Sequence, residues 1–170
     1  MARPGRPRKH DPVTDDIRRC IRNADDDGAK ALISANEEID IPDGEACTPL
    51  IWAAFHNRSE LLNWTIERGA NIDHQDRNGY CALHYVGQEK LADVAKILLD
   101  AGSATELRDI HGNTPLWTAT FNARGDLSVV QLLVAHGASF DNKNNAGKTV
   151  RDMAEIFFPD ELPNLIRTAT

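Results

Sequence analysis

The chain has 170 residues, with 19 Lys and Arg against 26 Asp and Glu, a formal charge of −7 and 41% apolar residues. That length supports one domain with a core that needs neither disulfides nor metals, and the composition excludes a disordered or fibrous chain. The longest unbroken apolar run, Leu50 to Phe55, is too short to cross a bilayer, and no apolar stretch follows the basic start as a secretory leader would require.

In chain order, residues 1–12 read as a basic, disordered arm and residues 13–170 as a single domain. Arg3, Arg6, Arg8 and Lys9 put +4 on the first ten residues, leaving 15 basic and 26 acidic side chains, a net of −11, on the rest. Such a body repels phosphates and membrane surfaces and favours a protein partner with a basic surface. Three cysteines, Cys20, Cys47 and Cys81, lack C-x-x-C spacing, which suits a reducing cytoplasm better than a disulfide framework.

Self-comparison then dominates. Segments starting at Thr48, Cys81 and Thr114 align at offsets of 33 and 33, and a fourth start at Thr149 lies 35 further on. Running the period back from Thr48 reaches Asp15 and a diverged first unit. The units fall at about 14–43, 44–76, 77–109, 110–144 and 145–170. Each opens with a capping residue, followed twice by Pro (Thr48-Pro49, Thr114-Pro115), which predicts a helix start. A short apolar helix, a polar turn and a second helix follow. Gly69, Gly102 and Gly137 predict its end, and the turn pattern Asp76-Arg77-Asn78-Gly79 or Asp109-Ile110-His111-Gly112 leads to the next unit. The fourth unit carries two extra residues within Phe121–Arg124, between its helices.

Thr48-Pro49-Leu50, Ala53-Ala54, Gly69-Ala70, His84, Thr114-Pro115-Leu116 and Gly137-Ala138 together resemble the ankyrin-repeat signature, and the resemblance covers roughly residues 14–167. It departs at Ile51 and Trp117, where the signature has His, at Ala82 and Val150, where it has Pro, and at Ala46, where it has Gly. The resemblance implies an all-α solenoid of stacked helix-turn-helix pairs with projecting β-hairpin-like loops, in which the divergent end units cap the stack. It also implies that Trp52, Trp64, Tyr85 and Trp117 are core residues and that His84 ties backbone together within its repeat.

Several constellations invite chemistry and are better read otherwise. Asn23-x-Asp25-x-Asp27-Gly28 starts like a calcium loop, but Ser34 stands where a bidentate acid is required, so a solvated acidic turn is expected. His56, His74, His111 and His136 belong to different loops, with no His-Glu helix motif, and no His follows a cysteine at motif spacing. Two carboxylate ladders follow the period: Asp40, Asp73, Glu106, Asp141, and Asp43, Asp76, Asp109. Acid-base catalysis needs two carboxylates in one cleft with different environments, whereas a ladder spaces equivalent ones apart. Turn capping and loop bridging are expected, with an acidic edge that could steer a basic partner. No catalysis, cofactor, metal or small-molecule substrate is expected.

The resemblance places recognition on the loop residues and on the turn after each first helix. By period these are Glu45, Cys47, Arg77, Asn78, Tyr80, Ile110, His111 and Asn113, with Phe55, His56, Gln88, Glu89, Phe121, Asn122 and Arg124. Phe55, Tyr80 and Phe121 are the expected aromatic anchors, with packing against the next repeat as the alternative for each. The function expected is a cytoplasmic, monomeric module that binds a partner protein through its concave face, one specific form being an inhibitor or immunity (antitoxin-like) protein. The alternative is a nuclear or DNA-associated regulator that uses the arm. Gly5-Arg6-Pro7-Arg8-Lys9 resembles half of an AT-hook, lacking the Arg before the Gly.

Overall fold

A computed structural model describes residues 12–36, 38–161 and 163–164; of the arm expected at residues 1–12, residues 1–11 lie outside them and Pro12 opens the first helix. The described residues form helices and no strands: α1 (Pro12–Arg22), α2 (Asp26–Ala35), α3 (Pro49–Phe55), α4 (Ser59–Glu67), α5 (Ala82–Glu89), α6 (Ala92–Asp100), α7 (Pro115–Asn122), α8 (Ser128–Ala135) and α9 (Val150–Phe157). First helices α1, α3, α5, α7 and α9 pack in sequence, and so do second helices α2, α4, α6 and α8. The result is a two-layer stack.

The helix starts follow the local chemistry. Thr48 and Thr114 accept from the backbone N–H groups of Ile51 and Trp117, each at 3.4 Å, with proline next in line. Cys81 replaces the capping threonine, and its N–H donates to Nδ1 of His84 at 3.2 Å. Thr149 and Asp152 close a reciprocal cap, with N–H···O distances of 2.8 and 3.0 Å. Second helices close alike: Ala70, Ser103 and Ala138 donate back to Thr65, Leu98 and Leu133 across glycines with φ between +79° and +89°.

Apolar faces of both layers meet in one continuous core. Ile21, Leu50, Leu61, Leu62, Val86, Leu98, Leu116 and Leu133 are wholly inaccessible or within 1% of it. Each such side chain contributes roughly 1.5–3 kcal/mol on burial. Adjacent first helices approach closely where residues are small: a Cβ on Gly87 of α5 would sit 3.2 Å from that of Ala119 on α7.

The turns between paired helices carry a register mark. Ala24, Asn57 and Lys90 have φ of +62°, +56° and +60°, and the lengthened fourth turn places both Arg124 and Gly125 in the left-handed region. Corresponding turns are therefore built alike although their residues differ.

Candidate functional site

The loops between repeats form a row of fingers. In each, one oxygen of the leading residue accepts two backbone N–H bonds. Asp43 takes Glu45 and Cys47 at 2.8 and 2.9 Å, Asp76 takes Asn78 and Tyr80 at 2.7 and 2.8 Å, and Asp109 takes His111 and Asn113, both at 2.8 Å. Asn144 does the same for Ala146 and Lys148. Each finger closes with a backbone bond such as Asp76 N–H to Tyr80 carbonyl, 2.9 Å, and leans on the next through Arg77 to Glu45, Ile110 to Asn78, and Asn145 to His111. The second ladder bridges repeats: Asp40 accepts from Asn71 N–H, Asp73 from Ala104 N–H and Glu106 from Ser139 N–H, at 2.8–2.9 Å. Both ladders are structural through Glu106. The last carboxylate, Asp141, pairs instead with Arg151, at 2.7 Å, which holds its carboxyl below the usual carboxylate range.

Between fingers and first helices lies a groove of about 320 Å³, lined by Asn78, Tyr80, Tyr85, Gln88, Ile110 and His111. Its walls are aromatic. Tyr80 stacks on His84 with centroids 4.9 Å apart, Tyr85 meets Tyr80 edge-on at 5.4 Å and Phe55 at 5.5 Å, and Phe55 adjoins His56 and Trp52. The Tyr85 hydroxyl donates to the other oxygen of Asp76 at 2.6 Å, and burial together with that carboxylate pushes its pKa well above the ordinary phenol. The Trp52 indole N–H donates to Asp43 at 2.9 Å in the same way one repeat earlier. Finger carboxylates thus orient the aromatic side chains beneath them.

The buried cysteines and several histidines are engaged within the fold. Burial pushes the Cys47 thiol up to about 12 and the Cys81 thiol up to about 11, so both stay protonated at neutral pH. Nδ1 of His84 receives the Cys81 N–H and faces its sulfur at 3.1 Å, while Nε2 lies 3.1 Å from the Asn113 carbonyl. His84 therefore ties its own repeat to the next one, beyond the expected role within the repeat, and burial lowers its pKa. His74 reaches the Ala46 carbonyl and His136 the Leu132 carbonyl. Asp25 caps α2 through Gly28 N–H, and Asp26 pairs with Arg58 at 2.9 Å. Among the described residues no group of three or more His, Cys, Asp or Glu side chains is arranged to hold a metal.

Of the positions expected to face a partner, Arg77, Asn78, Glu89, Ile110, His111, Phe121 and Arg124 are exposed, and Phe55, His56, Tyr80, Gln88, Asn113 and Asn122 are partly so. Five of these thirteen line the groove. Cys47 belongs to the core, at 2% exposure beneath Asp76 and Tyr85. Tyr85 and Trp52, expected in the core, are half-buried: they pack against it and turn their polar ends to finger carboxylates. Trp64 and Trp117 are also half-buried, Trp64 under the Arg68 guanidinium at 4.0 Å. Arg18 and Arg22 on α1 are exposed members of the face that were not singled out. The signal was available: Arg22 precedes left-handed Ala24 as Phe55 precedes Asn57 and Gln88 precedes Lys90.

Comparison with known proteins agrees with this geometry. A family model described as ankyrin repeats (3 copies) matches residues 17–109 and 50–144. The chain is similar to E3 ubiquitin-protein ligase Ufd4 of Drosophila melanogaster, 33% identical over 116 residues that cover 65% of this chain and 4% of that protein. It is similar to a putative ankyrin repeat protein of Rickettsia bellii, 28% identical over 145 residues covering 77% of this chain and 41% of that one. It also resembles human ankyrin repeat and KH domain-containing protein 1, 33% identical over 102 residues, 60% of this chain and 4% of that protein. The chain thus spans less than half the length of each of these relatives. With that match lying over the same stacked helix pairs and fingers, the chain belongs to the ankyrin-repeat family.

Proposed function

We propose that the chain binds a partner protein through the face formed by its fingers and first helices, and carries out no chemistry itself. Ankyrin repeats are generally protein–protein interaction modules. The observation that carries the reading here is the groove at the centre of the face. Two repeats build it, five of its six lining residues are ones the repeat period selects, and Ile110 stands 58% exposed at its rim. An exposed branched apolar residue beside two tyrosines is the makeup of an interface anchor.

Affinity capture from lysate of the native source tests this with three baits: the full chain, a deletion of residues 1–12, and Ile110→Glu. Ile110 is exposed, so its replacement should leave the thermal melt unchanged. The expected result is one stoichiometric partner held by the first two baits and lost with the third. Retention by Ile110→Glu refutes the reading. Recovery of DNA or chromatin proteins only with the intact arm favours the nuclear regulator instead. The inhibitor form adds one requirement, that the captured partner is an enzyme whose activity falls as stoichiometric chain is added. Among the described residues no helix is long and apolar enough to cross a membrane.

A further inference from the structure

We propose that the α1 end of this face, formed by Arg18 and Arg22 beside Trp52, Phe55 and His56, seats the carboxylates of an acidic, extended segment of the partner. The proposal rests on the face being the binding surface, and adds what the partner presents there.

Register comes first. The left-handed turns at Ala24, Asn57 and Lys90 put Arg22, Phe55 and Gln88 at one position of three stacked helices. Arg22 is thus the α1 member of the row that continues into the groove.

Availability comes second. The ion pairs of basic side chains among the described residues are Arg19–Asp16, Arg58–Asp26, Lys96–Asp100, His136–Asp100 and Arg151–Asp141. Arg18 and Arg22 enter none of them, and both are exposed. The Arg18 guanidinium lies over the Trp52 ring, 4.3 Å from its centroid. Stacking uses the flat face of a guanidinium and leaves its N–H edge for a bidentate carboxylate. Both cations also add to burial in lowering the pKa of His56.

Neighbouring carboxylates are partly committed within the chain. Asp43, hydrogen-bonded to Trp52, also accepts from Glu45 N–H and Cys47 N–H, Asp16 pairs with Arg19, and Asp25 caps α2. Exposed acids occur on the second helices, as Glu60, Glu67 and Asp93, and on the first-helix side, as Asp15, Glu45 and Glu89, but among the described residues Arg18 and Arg22 form an ion pair with none of them. The overall charge of −7 thus coexists with two unpaired cations at this end of the face. The complement of two unpaired guanidiniums in an aromatic setting is a pair of carboxylates. From α1 to α7 is three helix spacings of about 8–10 Å each, which an extended chain crosses in roughly eight residues. The segment is acidic over α1 and apolar toward Ile110.

The test is selection of a random dodecapeptide display library on the full chain at low salt. Enriched peptides are then remade with fluorescein and titrated against wild type, R18E/R22E, R18Q/R22Q and I110E, with a labelled oligothymidine as a nucleic-acid probe. The expected peptides are net negative, bind less tightly as salt rises, and lose at least about tenfold on R18E/R22E, with a smaller loss on R18Q/R22Q. Unchanged thermal melts of these surface variants exclude misfolding as the cause. Neutral or basic consensus peptides, equal binding to R18E/R22E, or oligothymidine held through the same arginines would each overturn the proposal. Loss on I110E alone leaves the binding face standing and removes the acid seat. No enrichment, or peptides indifferent to all variants, removes both.

Discussion

Replacing Gly79 by alanine isolates what holds the fingers together. Gly79 has φ +77°, and a Cβ there would lie 2.8 Å from the Cα of Asp109 and 3.1 Å from the Arg108 carbonyl oxygen. Those neighbours are backbone, so the fingers themselves must separate. Strain of a left-handed alanine, about 1 kcal/mol, is largely offset by the reduced freedom of the unfolded chain. What remains is the contact between fingers. Ile110 N–H bonds to the Asn78 carbonyl at 2.9 Å, and the Gln75 amide spans the Gly79 and Arg108 carbonyls at 2.6 and 2.9 Å. Weakening two or three such bonds, each worth about 1 kcal/mol, gives an expected loss of about 2–3 kcal/mol. Thermal unfolding followed by circular dichroism should show a Tm lower by roughly 5–10 °C. Gly102→Ala is the matched control, with φ +89° and nothing within 4 Å of its Cβ, so it pays only the backbone component. Gly79→Ala costing no more than Gly102→Ala would refute the close-approach argument.

Two further outcomes follow from buried titratable groups. His84 and His56 both have pKa values lowered chiefly by burial, so below the ordinary histidine value near 6.5 the unfolded chain takes up protons that the folded chain resists. Stability should therefore fall as pH drops from 7 toward 5, with a slope of up to about 1.4 kcal/mol per pH unit for each excluded proton. Urea titrations at several pH values should show a shallower slope for His84→Gln, and an unchanged slope would rule His84 out as the cause. Thiol reactivity separates the cysteines: Cys20 is half-buried while Cys47 and Cys81 are at 2% and 1% exposure, so iodoacetamide should label one thiol slowly in the native state and three in urea. Native labelling of Cys47 or Cys81 would contradict their placement in the core.

How much of this was legible in the sequence depends on whether a feature is local. Thr48-Pro49, Thr114-Pro115 and the glycines at Gly69, Gly102 and Gly137 announce helix boundaries because capping and left-handed turns are decided within a few residues. The bridging role of Asp73 and Glu106 follows from periodicity for the same reason, since each repeat meets the next identically. Tyr85 and Trp52 pack against the core, but their half-buried position depends on partners nine residues away, Asp76 and Asp43, that draw their polar ends toward the fingers. Cys47, expected on the face, lies in the core, since its register faces outward in the next repeat as Tyr80 but inward here beneath Tyr85. The turns at Ala24, Asn57 and Lys90 share a conformation but no residue type, so the 33-residue spacing gives their register and only the backbone reveals their left-handed form.

That register separates two kinds of position within the one chain. Where a finger holds its turn or a repeat reaches the next, the residues recur: the first oxygen of Asp43, Asp76 and Asp109 takes two backbone N–H bonds within its finger, and Asp40, Asp73 and Glu106 reach the next repeat. Where the first helix ends on the face, they do not, and Arg22, Phe55 and Gln88 present a cation, an aromatic ring and an amide in turn. A stack held by its repeated positions leaves the others free to differ without cost to the core. Net charge sums over both kinds, and here the acids it counts include those bound to backbone amides and those on the second helices. For the partner proposed above, the guide is the chemistry of Arg18, Arg22, Phe55 and Ile110 on the face, rather than the charge of −7 on the whole chain.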